Sequence, residues 1–263
     1  MSGIDLHGAA GDRCPVMVLD DFLVSGRPFP PHPHAGFSAV TYVFPDSKGG
    51  LRSRDSLGND VQVGPGGIVW TEAGSGMLHH ELPTQPGQPL HGLQFFVNAR
   101  PANKLAPPRV LWLDGHEVPA WRNDAGDQVR IVVGEFGGVV SPMIPREPFS
   151  LLDLNLRTTL TLPLAADQVC VVYVLSGEIS LGAGHDTMAL TAADVVTLHG
   201  DDGPLTVQAR KPAQALVFLG LEMPDPVVMH GPFIMNAPAQ INDAILRYQK
   251  GEMGRLAPLP GDE

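Results

Sequence analysis

Short apolar runs, each cut off by glycine or proline, constrain this chain more than any other feature. With 30 glycines and 26 prolines among 263 residues, few stretches can sustain a helix. Proline removes the amide donor a helix needs, and glycine costs backbone entropy. The surviving runs are rich in β-branched and aromatic residues: 38–44 (SAVTYVF), 91–98 (HGLQFFVN), 129–134 (VRIVVG) and 168–175. Further short runs at 16–19, 60–63, 67–71, 150–156, 178–181, 194–198, 205–207 and 215–221 complete two series of strands. That rhythm is the one expected of an antiparallel sandwich or small barrel.

The length allows one large domain or two of about 130 residues. Segments 101–127 and 137–148 are irregular and rich in Pro, Gly and Asp, and they separate the two series. The halves also echo each other: 190–196 occupies the place in the second that 63–69 holds in the first, which fits a duplicated β-barrel. The expectation is an all-β chain of two tandem barrels, 1–135 and 136–263. One short helix is expected near the C-terminus, where Ile241, Ala244, Ile245 and Tyr248 fall on one helical face. Asn236 reads as its N-cap, Pro238 as its first turn and Gly251 as its stop.

An apolar content of 43% argues against disorder, and a net charge of −11 against phosphate-driven nucleic-acid binding. No run approaches the roughly 18 apolar residues of a membrane span. The first 20 residues lack an apolar stretch after a basic start, so no secretory leader is expected. Cys14 and Cys170 read as free thiols in a reducing cytoplasm.

The chemistry lies in two short clusters. His32-Pro33-His34 is followed, 45 residues on, by His79-His80-Glu81. In a strand, residues two apart point to one face, so each cluster can aim two ligand atoms at one spot. Three imidazoles and a carboxylate suit a borderline metal such as iron better than magnesium or calcium. Strand alternation aims His80 away, as a wall residue. Of the remaining histidines, His7, His116, His185 and His199 read as solvated loop residues, His91 as a packing or hydrogen-bonding group, and His230 as an anchor for the tail. Gly64, Gly66, Gly74 and Gly76 serve turns; no helix or lysine follows to make a phosphate cradle. Met77, Phe37 and Trp70 read as cavity wall or core.

The runs HPHAGFSAVTYVF, RDSLGN, GPGG, WTEAGSGMLHHELP, HGLQFFVN and HGPFIMN together resemble the pirin family. The resemblance covers mainly residues 15–100 and 225–250. It implies a bicupin: two cupin barrels in tandem, with the tail packed back on the first. It also implies one metal in the first barrel, most often Fe(II), with Mn, Ni, Co, Cu or Zn as alternatives. The ligands carried over are His32, His34, His79 and Glu81, and the second barrel lacks a metal set.

Several pirins resemble quercetinases. By that resemblance the chain is expected to act on a flavonol or similar small hydroxylated aromatic with O2, releasing carbon monoxide, with Glu81 as the base for the substrate hydroxyl. The alternative implied by the family is a redox-sensitive iron regulator that binds a protein partner, a transcription factor or metabolic enzyme, without touching DNA itself. The chain departs from the common Arg-Gly-Phe-Glu-Thr pattern at Ala35 and Ser38, has Ser53 and Arg54 where a histidine is frequent, and has Gly67 where Gly-Asp is usual.

Overall fold

A computed structural model describes residues 2–5, 13–26, 30–183 and 186–259; His7 and His185 lie outside them. The chain divides into two compact units, 16–117 with 223–263, and 118–222 with 13–15.

In the first unit the strands are β1 (Ser2–Asp5), β2 (Val16–Val24), β3 (His32–His34), β4 (Phe37–Val43), β5 (Leu51–Asp55), β6 (Asp60–Val63), β7 (Ile68–Glu72), β8 (Met77–Pro83), β9 (Leu90–Asn98) and β10 (Arg109–Leu113). They form a six-stranded sheet, β1-β2-β9-β4-β7-β10, and a four-stranded sheet, β3-β8-β5-β6. All pairings are antiparallel, as the Gly/Pro-punctuated pattern requires. Val43, Leu51, Val63, Val69 and Leu90 close one end of the interior, and Met17, Phe37, Ala39 and Ile234 another part. A cross-sheet bond, Thr41 Oγ1 to Glu81 Oε2, ties the two inner faces together.

The second unit contains β11 (Ala120–Arg122), β12 (Gln128–Val133), β13 (Glu135–Phe136), β14 (Val139–Val140), β15 (Phe149–Leu156), β16 (Thr159–Pro163), β17 (Gln168–Ala183), β18 (Asp186–Thr191), β19 (Val195–His199) and β20 (Pro204–Leu221). Its long strands β17 and β20 bulge in the 174–179 stretch of β17, and so serve neighbours on both sides. The interior is a single apolar cluster built from Val, Leu, Ile and Ala side chains, with Cys170 among them. Burial pushes the Cys170 thiol up to about 12, so it stays protonated and acts as packing. Both cysteines are free and buried. The architecture is thus all-β, two cupin barrels and one short helix.

The chain passes from one unit to the other at 117/118, where the sequence pattern places the break at 135/136. The reason is pairing: β12 hydrogen-bonds to β15, so the run 129–134 that looks like the last strand of the first half belongs to the second sheet.

After the second unit the chain returns to the first as β21 (Val228–His230), β22 (Phe233–Met235) and α1 (Pro238–Gln249). The helix cap falls one residue later than the sequence indicates. Ala237 is the N-cap, without a side-chain bond, because the Asn236 amide donates to the Pro226 carbonyl instead. Gly251, at φ +74°, stops the helix. Ile241 and Ala244 are buried against Ala35, Phe233, Met235 and Met253, whereas Tyr248 is exposed. His230 is also exposed, so the tail is held by Phe233 and Met235 and not by that histidine.

Candidate metal centre

The register of the four-stranded sheet decides which of the candidate ligands meet. β3 pairs with β8 so that His32 lies opposite His79 and His34 opposite Met77. On the other side of β8, Glu81 lies opposite Ser53 and His80 opposite Arg54. Alternation then places His32, His34, His79 and Glu81 on the inner face and His80 on the outer one.

His32, His34 and His79 converge, each offering a nitrogen within 4.8 Å of the other two. Nε2 of His32 and Nε2 of His79 are 3.0 Å apart. Two nitrogens bonded at about 2.1 Å to one ion and about 90° apart are separated by ~3.0 Å, so this spacing fits a shared metal. The tautomers fit as well. His32 Nδ1–H donates to the Pro30 carbonyl at 3.0 Å, which leaves the lone pair on Nε2.

Neither ring nitrogen of His34 has a well-aligned hydrogen bond, nor does Nδ1 of His79. Burial, then the neighbouring His32, lowers the His34 pKa to about 3, and a poorly placed Pro232 carbonyl offsets this slightly. Burial, then His34, His32 and His80, holds His79 well below the ordinary imidazole value. Both are therefore neutral donors at neutral pH. Buried and unpartnered, such groups cost about 1–3 kcal/mol each. The chemistry of this all-nitrogen set fits a divalent transition metal.

Glu81 stands beside the three histidines rather than within their cluster. Thr41 Oγ1 donates to its Oε2 at 2.6 Å, and its Oε1 is 4.0 Å from Nδ1 of His79. Burial raises the Glu81 carboxyl to about 7, against the lowering effect of hydrogen bonds from Thr41 and Ser53. The Ser38 position cannot supply a carboxylate in its stead. Ser38 shares its face with Val40 and Tyr42, opposite Thr41.

His32 and Glu81 line a narrow cavity together with Asp20, Phe22, Val24, Leu51, Leu82, Pro83, Leu90 and Gln94. It holds about 480 Å³ of empty space with its mouth included, of which about 40 Å³ admits the centre of a water-sized sphere. A wider depression, with about 830 Å³ of empty space counted in the same way, adjoins it and shares Leu82 and Pro83. Phe37 and Phe96 pack on His34 with ring centroids 5.0 and 5.7 Å away. Met77 is buried on the His34 side, whereas Trp70 pairs with Val40 on the opposite face and is ordinary core. His91 hydrogen-bonds Asp21 and packs on Phe44, away from the cluster.

Sequence reading misses the lysine that braces the first histidine pair. Lys104, fully buried, donates to the carbonyls of Gly36 and Ile234, both at 2.9 Å, and to Asn98 Oδ1 at 2.5 Å. It joins the turn after His34 to the returning tail. Gly36 adopts φ +84°, and a Cβ there would collide with the Ile234 carbonyl. Ala35 is fully buried in the same contact with Phe233 and Met235. A long charged side chain at 35 would lift the tail, which explains the small residue. Thr41, Asp20 and Gln94 also escape the sequence: each looks like an ordinary strand position until the opposite sheet is placed.

Among the described residues, no helix is long and apolar enough to cross a membrane. Residues 7–97 match the family model Pirin, and residues 151–254 match the Pirin C-terminal cupin domain. Human pirin is 31% identical over 246 residues, covering 91% of this chain and 83% of that protein. Among solved structures, a quercetin 2,3-dioxygenase from Acinetobacter baumannii superposes with a TM-score of 0.81 at 24% identity, covering 92% of this chain and 87% of the other. The bacterial pirin YhhW from Escherichia coli, in complex with nickel(II), superposes with a TM-score of 0.60 at 20% identity, covering 80% and 83%.

Proposed function

This chain belongs to the pirin family of cupin proteins, and from that premise we propose that it is a metal-dependent dioxygenase of the quercetin 2,3-dioxygenase type. Its substrate class is a small hydroxylated aromatic, and its co-substrate is O2. The observation that carries the reading is the joint lining of one apolar-walled cavity by His32, from the three-histidine cluster, and by Glu81.

His32, His34 and His79 would hold the metal, with Glu81 as a fourth ligand or as a base beside it. The family resemblance points to iron(II), with manganese, nickel, cobalt, copper and zinc as alternatives that imidazole and carboxylate donors also accept. When bound, such an ion supplies Lewis acidity that lowers the pKa of a coordinated hydroxyl, and open positions toward the cavity.

The protein's own residues supply the rest. Glu81 Oε1, the oxygen not engaged by Thr41, accepts the proton of the substrate hydroxyl. Thr41 fixes the orientation of the Glu81 carboxylate. Phe22, Val24, Leu51, Leu82 and Leu90 exclude water from the electron-rich ring that results. A ring at the narrow end of the cavity would extend past Leu82 and Pro83 into the adjoining depression, which shares those two residues.

The alternative reading, a redox-sensitive regulator acting through protein contact, has no observation among the described residues that favours it. The reading is tested by metal analysis and oxygen uptake. Protein isolated without oxygen should carry about one metal per chain, consume O2 and release carbon monoxide with a flavonol. His32→Ala should lose both metal and uptake; full uptake in a metal-free variant would end the proposal.

A further inference from the structure

The inner face of the six-stranded sheet carries a polar row that the metal does not use. Asp20 pairs with Gln94 and Gln94 with Thr41, and Thr41 Oγ1 donates to Glu81. These positions lie side by side on β2, β9 and β4. Asp20, Gln94 and Glu81 all line the cavity that reaches His32. Thr41 is committed to Glu81. Asp20 is not committed: its Oδ1 is buried and has no hydrogen-bond partner among the described residues.

A carboxylate oxygen buried without a donor costs free energy, and a donor carried by a ligand recovers it. Partial burial raises the Asp20 pKa, against the lowering effect of the chain's N-terminal charge. Neighbouring strands are about 4.8 Å apart, so Asp20 lies two strands, or ~10 Å, from Thr41 at the backbone. Gln94 stands between the two ends, and Phe22, Val24 and Leu90 line the same cavity farther along β2 and β9. The wall therefore offers metal-side groups at one end, one acceptor at the other, and an apolar strip beside the row that joins them.

We propose that Asp20 is the specificity-determining residue of this cavity, accepting a hydrogen bond from a hydroxyl on the substrate's outlying ring. This rests on the dioxygenase reading above, and it narrows the substrate class. The ligand has an oxygen pair for the metal end, a flat apolar body, and a second hydroxyl about a ring system away. Gln94, between the two ends, offers a further donor and acceptor. Methyl ethers and carboxylates at the outlying ring should be rejected, the first for want of a donor and the second for like charge.

The test is a binding titration on nickel(II)-loaded protein without oxygen. The probes are 3-hydroxyflavone, whose hydroxyl sits at the chelating end, and derivatives with one further hydroxyl on either outlying ring. Wild-type protein should bind one of the hydroxylated derivatives at least about tenfold more tightly than the parent, the range of a hydrogen bond to a charged group. In Asp20→Leu that ratio should collapse to about one, and Asp20→Asn, which keeps the side-chain shape, should reduce it severalfold. A preference undiminished in both variants, or no preference in the wild type, would overturn the Asp20 assignment alone. Failure of every flavone to bind would overturn the dioxygenase reading and the assignment with it.

Discussion

In the second barrel, the inner faces of the sheets bring together Val129, Ile131, Leu152, Leu154, Val172 and Val217, with Cys170 as the one heteroatom-bearing side chain of that cluster. In the first barrel, the inner faces bring together three histidines, Glu81, Thr41, Gln94 and Asp20. The two units share an architecture and differ in what fills it. An interior filled with apolar side chains gains the stabilisation of burial, whereas one that buries imidazole nitrogens of His34 and His79 without aligned hydrogen bonds forgoes part of it and becomes able to bind. The first barrel recovers apolar contact from outside its sheets, through the tail residues Phe233, Met235, Ile241 and Ala244 against Ala35. Family membership covers both barrels, and the proposed chemistry is assigned to the one whose interior is polar.

That contrast can be broken by exchanging what each interior depends on. The largest effect is expected for Leu154→Ala, in the second barrel. It should cost about 2–5 kcal/mol in urea unfolding of that unit, while metal content stays at the wild-type level. Loss of metal would show that the second interior is not independent of the site.

His79→Ala should do the reverse. Metal content should fall by about a hundredfold or more, because a ligand is lost and not merely its support. The thermal transition of the metal-free protein should move little, since the imbalance removed is a buried nitrogen without a partner. A metal-free variant much less stable than metal-free wild type would mark His79 as core.

Lys104→Met sharpens the comparison, because it tests how the polar barrel is braced. Three acceptors lose their donor, so a loss of ~1–3 kcal/mol is expected. Metal affinity should weaken by ~10-fold through the turn that follows His34. Unchanged metal affinity with lowered stability would separate the brace from the centre. The smallest effect is expected for Thr41→Val, which should lower turnover severalfold with metal content intact, read as oxygen uptake against metal per chain.

The three-histidine cluster was legible in the sequence because its geometry is local. Residues two apart in a strand share a face, so His32 with His34, and His79 with Glu81, pair without knowledge of the rest. What joins the two pairs is the β3–β8 register, which the pattern of strands permits but does not specify. The residues that escaped act through space alone. Lys104 stands in a Pro-rich stretch that reads as loop, and only the returning tail gives it the Ile234 carbonyl to bind. β5 (Leu51–Asp55) escaped because its alternation places Arg52 and Arg54 outside and leaves too short an apolar pattern. Asp20, in the middle of β2 and just past the apolar run 16–19, looks like a solvated strand residue until Gln94 and Thr41 are set beside it. The boundary at 117/118 was hidden for the same reason, since the strand run at 129–134 shows no sign of which sheet it joins.

The account stands or falls on Glu81, the one group that the metal site and the cavity share apart from His32. The direct measurement is oxygen uptake and carbon monoxide release by ferrous-loaded Glu81→Gln protein with a flavonol, beside wild type at matched metal content. Glutamine keeps the shape and can still meet Thr41, but it cannot take the substrate proton. The expected result is metal retained to within a few-fold and turnover reduced by about 100-fold or more, the range of a general base. Turnover equal to wild type at equal metal content would contradict the central claim.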